Sequence, residues 1–442
     1  MQVAMLKRLK LVLTARATVL TLLLLLAAAM TVGALVAQRG SGATGSGATP
    51  GRPELERSAL VTALGLDHVF STPWFAVLSL LFVLTLLLST LDQFRLSLAR
   101  LRQVPPRSGE GGVRCTGTRQ EIEARLARHG YRRVSRGSGP TRHVRQAIGY
   151  WGNFLLHAGM TVTVLSSVTY ALTEHRVQLH AVSGRALVVA PGAFAEKRGL
   201  LAGEISLPAE VNLYRVEPTF GANDQLVDLA SQLIFTDSSG SSREIRVAVN
   251  DYQEYRGLVV YQLVKYGKAF FLELQEGSGS PAEVLLEMAM PEKRGAASYL
   301  NRPLGGSAML RAKYYASSDR KALLPEHPQL VLRLYDGDRL VEETTLQEGQ
   351  QGRLGPLAVR LARVGWWTDI LFEGSRGTTG IFSGFALLLV GAVLLFFAVP
   401  REVVLRDTPD GLYAWWRTSR FPDMYHAEGE RVLASCKGES PA

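Results

Sequence analysis

Residues 147–173 read AIGYWGNFLLHAGMTVTVLSSVTYALT, without a lysine, arginine, aspartate or glutamate. A run this long and apolar suits a helix crossing the roughly 30 Å of bilayer hydrocarbon, which takes about 20 residues. Tyr150 and Trp151 stand near its start, where an aromatic belt is expected. His157 lies well inside it, and ionisable groups placed in hydrocarbon are costly enough to suggest function. Asn153 and Thr161, four residues to either side, share its helical face. Neutral imidazole is a common metal and haem-iron ligand, and a histidine can equally serve only to hydrogen-bond within a helix bundle. Gly159, Thr163 and Ser167 form a row of small residues suited to close packing against another span.

Three further runs resemble this one: 17–38, 73–91 and 378–400. The first follows Lys7, Arg8, Lys10 and Arg16 and is long for a signal-peptide core, so a retained span is expected. Trp74 and Phe75 open the second, and Pro400-Arg401 closes the fourth. Hydrophobic residues make up 47% of the 442-residue chain and concentrate in these blocks. The chain is therefore expected to be embedded in a membrane and multi-pass.

The net charge of +10 is also unevenly placed. Residues 93–146 hold 13 arginines, whereas 38–72 hold three. This is the asymmetry of a positive-inside topology, and no nucleic-acid partner is expected. It places both termini and 93–146 in the cytoplasm and 174–377 on the outer face, in a bacterial cytoplasmic (inner) membrane.

Residues 174–377 read as strands. Runs at 232–235 and 244–249 flank Thr236-Asp-Ser-Ser-Gly-Ser-Ser, a loop of turn formers. Leu330, Leu332 and Leu334 alternate with Val331, Arg333 and Tyr335 before Asp336-Gly337-Asp338, a hairpin signal. The expected fold is thus membrane α-helical with four transmembrane helices, plus an exported all-β domain, an antiparallel sandwich or barrel. The expected organisation is 1–92 for the first two spans with a short exported loop, 93–146 a basic cytoplasmic segment, 147–173 the third span, 174–377 the exported domain, 378–400 the fourth span and 401–442 a cytoplasmic tail. Within 93–146, residues 119–130 suit an amphipathic helix with Ile122 and Leu126 on one side; Pro105, Pro106 and 109–112 read as linker. The tail, with Trp415 and Trp416 near basic residues, reads as interfacial or loosely ordered. Cys115 and Cys436 have no CxxC partner, and their cytoplasmic placement argues against a disulfide.

Chemistry-bearing motifs are sparse. There is no GxSxG, GxxxxGK[ST], HExxH or CxxCH, and no catalytic residue is assigned. His68, His175, His180 and His327 lie in exported segments. His175 and His180 could ligate iron or meet a partner, and solvated side chains are the plainer reading. Trp366-Trp367-Thr368-Asp369 is short for a haem-handling segment and fits core or interface tryptophans.

Several segments together resemble the ResB/CcsB family of System II cytochrome c biogenesis. They are Gly33-Ala-Leu-Val-Ala-Gln38, Val69-Phe70-Ser71-Thr72-Pro73-Trp74-Phe75 and His157-Ala158-Gly159-Met160. In the β region, Asn250, Tyr255, Gly257, Tyr261 and Gln262 are similar to a family pattern, with Asp251-Tyr252-Gln253 standing where the family has x-Pro-Leu. Gly384, Gly391 and Phe396-Phe397 follow in the last span. The resemblance implies a cytochrome c-type biogenesis factor, a non-catalytic subunit of a haem-delivery and haem-attachment complex. Its implied partners are a CcsA-type membrane protein, apocytochrome c and a thioredoxin-like thiol reductase. It implies haem, held transiently with the partner, as cofactor and His157 as a haem ligand. A structural membrane module that never binds haem, and a subunit of a membrane oxidoreductase, are the alternatives.

Overall fold

A computed structural model describes residues 2–36, 64–66, 69, 72–102, 112–134, 140–190, 194–317, 319–323 and 328–438. The helices are α1 (Gln2–Leu13), α2 (Arg16–Leu35), α3 (Pro73–Arg102), α4 (Arg119–Arg128), α5 (Gly152–Thr173), α6 (Thr378–Phe397) and α7 (Pro422–Lys437). Among the described residues four helical stretches are long and apolar enough to cross a membrane: Arg16–Leu35, Pro73–Arg102, Ala147–Thr173 and Thr378–Phe397. The protein is a membrane protein. Helix α3 opens with Pro73 at its first position and Thr72 Oγ1 accepting from the Phe75 amide at 3.4 Å, a favourable start. It runs beyond residue 91 because the next residues are good helix formers without glycine or proline. Lys10 of α1 pairs with Asp92 on this extension.

The chain divides into two compact units, 1–168 with 377–442, and 169–376. In the first, α5 and α6 approach closely through glycines. A Cβ on Gly159 would lie 2.7 Å from the Leu388 nitrogen, and one on Gly384 would lie 2.7 Å from the Thr163 nitrogen. Gly391 faces Leu156 and Gly152 in the same way. Gly159 and Thr163 thus serve the packing row read from the sequence; its third member is Ser166, beside Gly380, while the Ser167 hydroxyl bonds back to the Thr163 carbonyl.

The same unit holds a small domain that corrects the reading of a loose tail, while the linker read at Pro105, Pro106 and 109–111 lies outside the described residues. Strands Val113–Arg114, Gly411–Thr418, Arg401–Thr408, Thr141–Arg145 and Arg132–Arg133 form one antiparallel sheet in that order. Helices α4 and α7 complete its core, with Ile122 and Leu126 fully buried as the amphipathic pattern requires. Thr118 and Glu121 form a capping box on α4, satisfying backbone donors that the first turn leaves open. Trp416 packs against this core and donates to the Tyr131 hydroxyl at 2.8 Å. Cys115 and Cys436 meet here in one core as free, buried thiols. Arg142 and Glu402 form a buried ion pair, supported by Tyr150 and by Arg417. Ser97 near the end of α3 donates to the Tyr150 carbonyl at 2.8 Å.

The second unit is an all-β domain with antiparallel pairing throughout. Two long strands, Leu258–Glu276 and Leu357–Gly374, form its spine, and His175–Val182 and Ala195–Arg198 extend the sheet. A four-stranded sheet containing Glu210–Phe220 and Leu226–Thr236 covers one half of the spine. A second, containing Ala308–Tyr315 and Gln329–Asp336, covers the other. Phe235, Val260 and Phe372 anchor the first core; Phe270, Leu332 and Leu361 anchor the second. Both expected hairpins form. Thr236 pairs with Ser242, and Asp237 Oδ1 accepts from the Ser239 and Ser241 amides to close the loop. Asp336 pairs with Arg339 across Gly337, whose φ of 58° needs glycine.

Candidate functional site

His157 is the sixth of the 22 residues of α5 and faces α3. Its Nδ1 is 3.4 Å from the Ser89 hydroxyl. Thr90 Oγ1 donates to the His157 carbonyl at 3.2 Å and lies 2.7 Å from Thr161 Oγ1, which bonds the same carbonyl at 2.8 Å. The result is a small polar cluster between two apolar helices, where each group is costly unless paired. Thr161 joins it as the helical spacing suggests. Asn153 does not; its side chain accepts from Arg420 at 3.3 Å. Next to it Phe94, Trp151 and Phe154 meet at ring distances of 5.3–5.8 Å. Sequence reading did not single out Ser89, Thr90 or Phe94, because their relevance depends on which faces of two spans meet. Two adjacent hydroxyl residues inside the second apolar run were the signal present.

Among the described residues, no hydrogen bond is formed at His157 Nε2. When Nδ1–H donates to Ser89 Oγ, the tautomer leaves a lone pair on Nε2. That is the form in which imidazole ligates iron, so the residues present fit one axial haem position.

The histidines of the β domain are held differently. His175 is buried, with Nδ1 2.9 Å from the Gly203 carbonyl and Nε2 2.6 Å from Glu196. His180 has Nδ1 2.7 Å from Asp369 and Nε2 3.1 Å from Glu287, and its ring lies against Trp367. Burial alone would lower the His180 pKa; the hydrogen bonds and charges of Asp369 and Glu287 overcome this and lift it to about 9. At neutral pH it is an imidazolium with both nitrogens donating, and it has no lone pair for a metal. His175 is not the solvated histidine expected from the sequence; His180 does keep an exposed side chain, and both find carboxylates on other strands. His68 and His327 lie outside the described residues.

Trp366 packs on the first core and receives Lys268 Nζ at 3.4 Å over its ring. Burial pushes the Lys268 ammonium down to about 8, against the smaller opposing effect of Glu348. Trp367 donates to the Met288 carbonyl at 3.1 Å. These tryptophans are accounted for by packing.

The residues of the 250–262 pattern also have structural explanations. Tyr255 lies edge-on to Phe235 and Phe372, and Arg256-Gly257, both at positive φ, turns the hairpin into the long strand. Gln262 is buried and donates to Thr368 and to the Leu263 carbonyl, holding a bulge where 263–265 oppose Asp369. In the small domain, His143 is buried without a hydrogen bond at either ring nitrogen, and burial lowers its pKa. Among the described residues no group of three or more metal-binding side chains occurs.

Cytochrome c biogenesis protein CcsB of Synechococcus sp. strain JA-2-3B'a(2-13) is 24% identical over 399 residues, covering 86% of this chain and 81% of the relative. The protein of that name from Picosynechococcus sp. is 23% identical over 385 residues, covering 84% and 78%. Among solved structures, Cytochrome c Heme Lyase CcmF is similar at 12% identity with a TM-score of 0.24, over 76% of this chain and 43% of that one. The model of the ResB-like family matches residues 17–416, and the chain belongs to that family.

Proposed function

We propose that this chain serves cytochrome c maturation as the non-catalytic subunit that holds haem in transit, in a haem-attachment complex completed by a CcsA-type membrane protein. The relatives named as cytochrome c biogenesis proteins, aligned over most of the chain, support the biogenesis role. The observation that carries the haem role is the unpaired Nε2 of His157, on a ring oriented by Ser89 within the membrane helices. Haem iron accepts two axial ligands. His157 offers one, and the partner supplies the other. Thr90 and Thr161 fix the His157 backbone by bonding its carbonyl, and the Phe94, Trp151 and Phe154 rings, set at 50–71° to one another, form an apolar cluster at the level one turn earlier on α5. Apocytochrome c is the acceptor, with a thioredoxin-like thiol reductase keeping its cysteines reduced.

The small domain supports the orientation of this reading. It is built from chain on both sides of α5 and α6, so the end of α3, the start of α5 and the end of α6 share one side of the membrane. That side carries the arginine-rich segment and is the cytoplasm of a bacterial inner membrane. The β domain then lies on the outer face. A reporter active only outside the cytoplasm, fused at residue 280, should work, and one at residue 120 should not. The reverse pattern refutes the orientation. Cells lacking the chain should lose mature c-type cytochromes and regain them with the wild-type gene. Normal maturation in its absence would favour a structural module.

A further inference from the structure

The last turn of α5 leads directly into strand His175–Val182. Strand Ala195–Arg198 runs back antiparallel beside it, with Arg198 opposite His175. The returning chain therefore arrives again at the level where the apolar span ends. Two backbone bonds fix that level. The Gly199 amide donates to the Glu174 carbonyl, and the Leu201 amide to the Leu172 carbonyl, each at 2.7 Å. Gly199 lies so close to the helix that a Cβ there would be 2.5 Å from the Leu172 oxygen. Arg198 closes the turn by donating from Nε and a terminal nitrogen to the Ala202 carbonyl at 3.3 and 3.1 Å.

The side chains at the tip are out of keeping with water. Leu200 is 87% exposed and Leu201 65% exposed, although neighbouring Ala202 is buried. Just before them stand two exposed basic residues, Arg198 and Lys197, the latter still 69% exposed although its ammonium lies 2.9 Å from Glu174. Exposed apolar side chains are ordinarily tolerated singly. Here two adjoin the end of a membrane helix and follow two cations, the order in which headgroups and acyl chains are met on entering a leaflet.

We propose that the turn 199–202 is a lipid anchor: Leu200 and Leu201 insert at the acyl border of the leaflet, and Lys197 and Arg198 meet the lipid phosphates. The occupant of this surface is the bilayer itself. The turn, pinned to the span by backbone bonds, fixes the depth at which the β domain leaves the membrane.

The test uses the full chain in vesicles of phosphatidylcholine and phosphatidylglycerol, with a nitroxide at Leu200→Cys; the native cysteines are buried, and labelled wild type supplies the background. Leu165→Cys on exposed α5 gives the lipid reference, and Ser280→Cys, at the far end of the long strands, gives the water reference. The proposal predicts that Leu200 relaxes with oxygen rather than with a soluble nickel chelate, close to the Leu165 value. Nickel access matching Ser280 overturns it. Protection from both reagents also overturns it, because a protein surface would then cover the turn. Leu200→Trp with brominated acyl chains repeats the test without a label: stronger quenching than in wild type is expected, and unchanged quenching contradicts the anchor.

Discussion

His157 and His180 stand on consecutive elements, α5 and the strand that follows it, and are held in opposite ways. His180 spends both ring nitrogens on carboxylates, at 2.7 and 3.1 Å, and lies on a tryptophan. Among the described residues His157 has one 3.4 Å ring contact and a nitrogen without a bond. Position in the chain does not distinguish a structural histidine from a proposed ligand. What distinguishes them is how many of the two nitrogens the fold has already used. The β domain surrounds His175 and His180 with acids and makes them part of the sheet. Among the described residues the helix bundle meets the His157 ring with a hydroxyl, which orients it without charging it.

The largest expected effect comes from disturbing the scaffold on the His157 side alone. Gly384→Val would drive a side chain into the α5 backbone beside Thr163 and Gly159. It should cost at least the upper end of the ~1–3 kcal/mol typical of overpacking. The loss should show as reduced yield of monodisperse protein in detergent. Wild-type yield and thermal stability would break the claim that the two helices pack through glycines.

His180→Ala should act on the other side of the comparison. It leaves the nearly buried Asp369 with Gln178 as its remaining side-chain partner, at a cost of about 1–3 kcal/mol. Thermal unfolding should fall accordingly, while properties dependent on His157 stay unchanged.

The pH dependence sharpens this. The His180 pKa is raised in the folded protein, so its stabilising contribution is full below the ordinary histidine value near 6.5 and is lost as pH rises through about 9. Unfolding curves of wild type and His180→Gln should therefore converge between roughly pH 7 and 10. Lys268, lowered to about 8, acts in the reverse sense above that pH, but equally in both proteins. A gap that widens with rising pH would contradict the imidazolium assignment.

Ser89→Ala has the smallest expected effect on stability, under about 1 kcal/mol, because the 3.4 Å contact is long for a hydrogen bond. Its readout is orientation: haem binding should weaken several-fold without loss of folded protein. A large drop in stability would mean the hydroxyl holds the helices together instead.

The four spans were legible because about 20 apolar residues have few other uses. The hairpins at 236–242 and 337–338 were legible from turn chemistry. The small domain was not. Its sheet joins 113–145 to 401–418, with two strands of only two residues, so no local pattern announces it. The meeting of Cys115 with Cys436 was hidden for the same reason. His157 was legible because a histidine in hydrocarbon stands out alone. The pairing of His175 and His180 was not, because Glu196, Glu287 and Asp369 reach them only through strand register and side-chain geometry. The row of Gly159 and Thr163 was legible as a packing face, but its partner, the Gly384–Gly391 face, came from the fold.

The most direct measurement is the absorption spectrum of the chain purified with the proposed CcsA-type partner, as wild type, His157→Ala and His180→Ala at equal protein recovery. The account predicts a Soret band in wild type and in His180→Ala, and a strongly diminished one in His157→Ala. Equal bands in all three, or loss confined to His180→Ala, would contradict it.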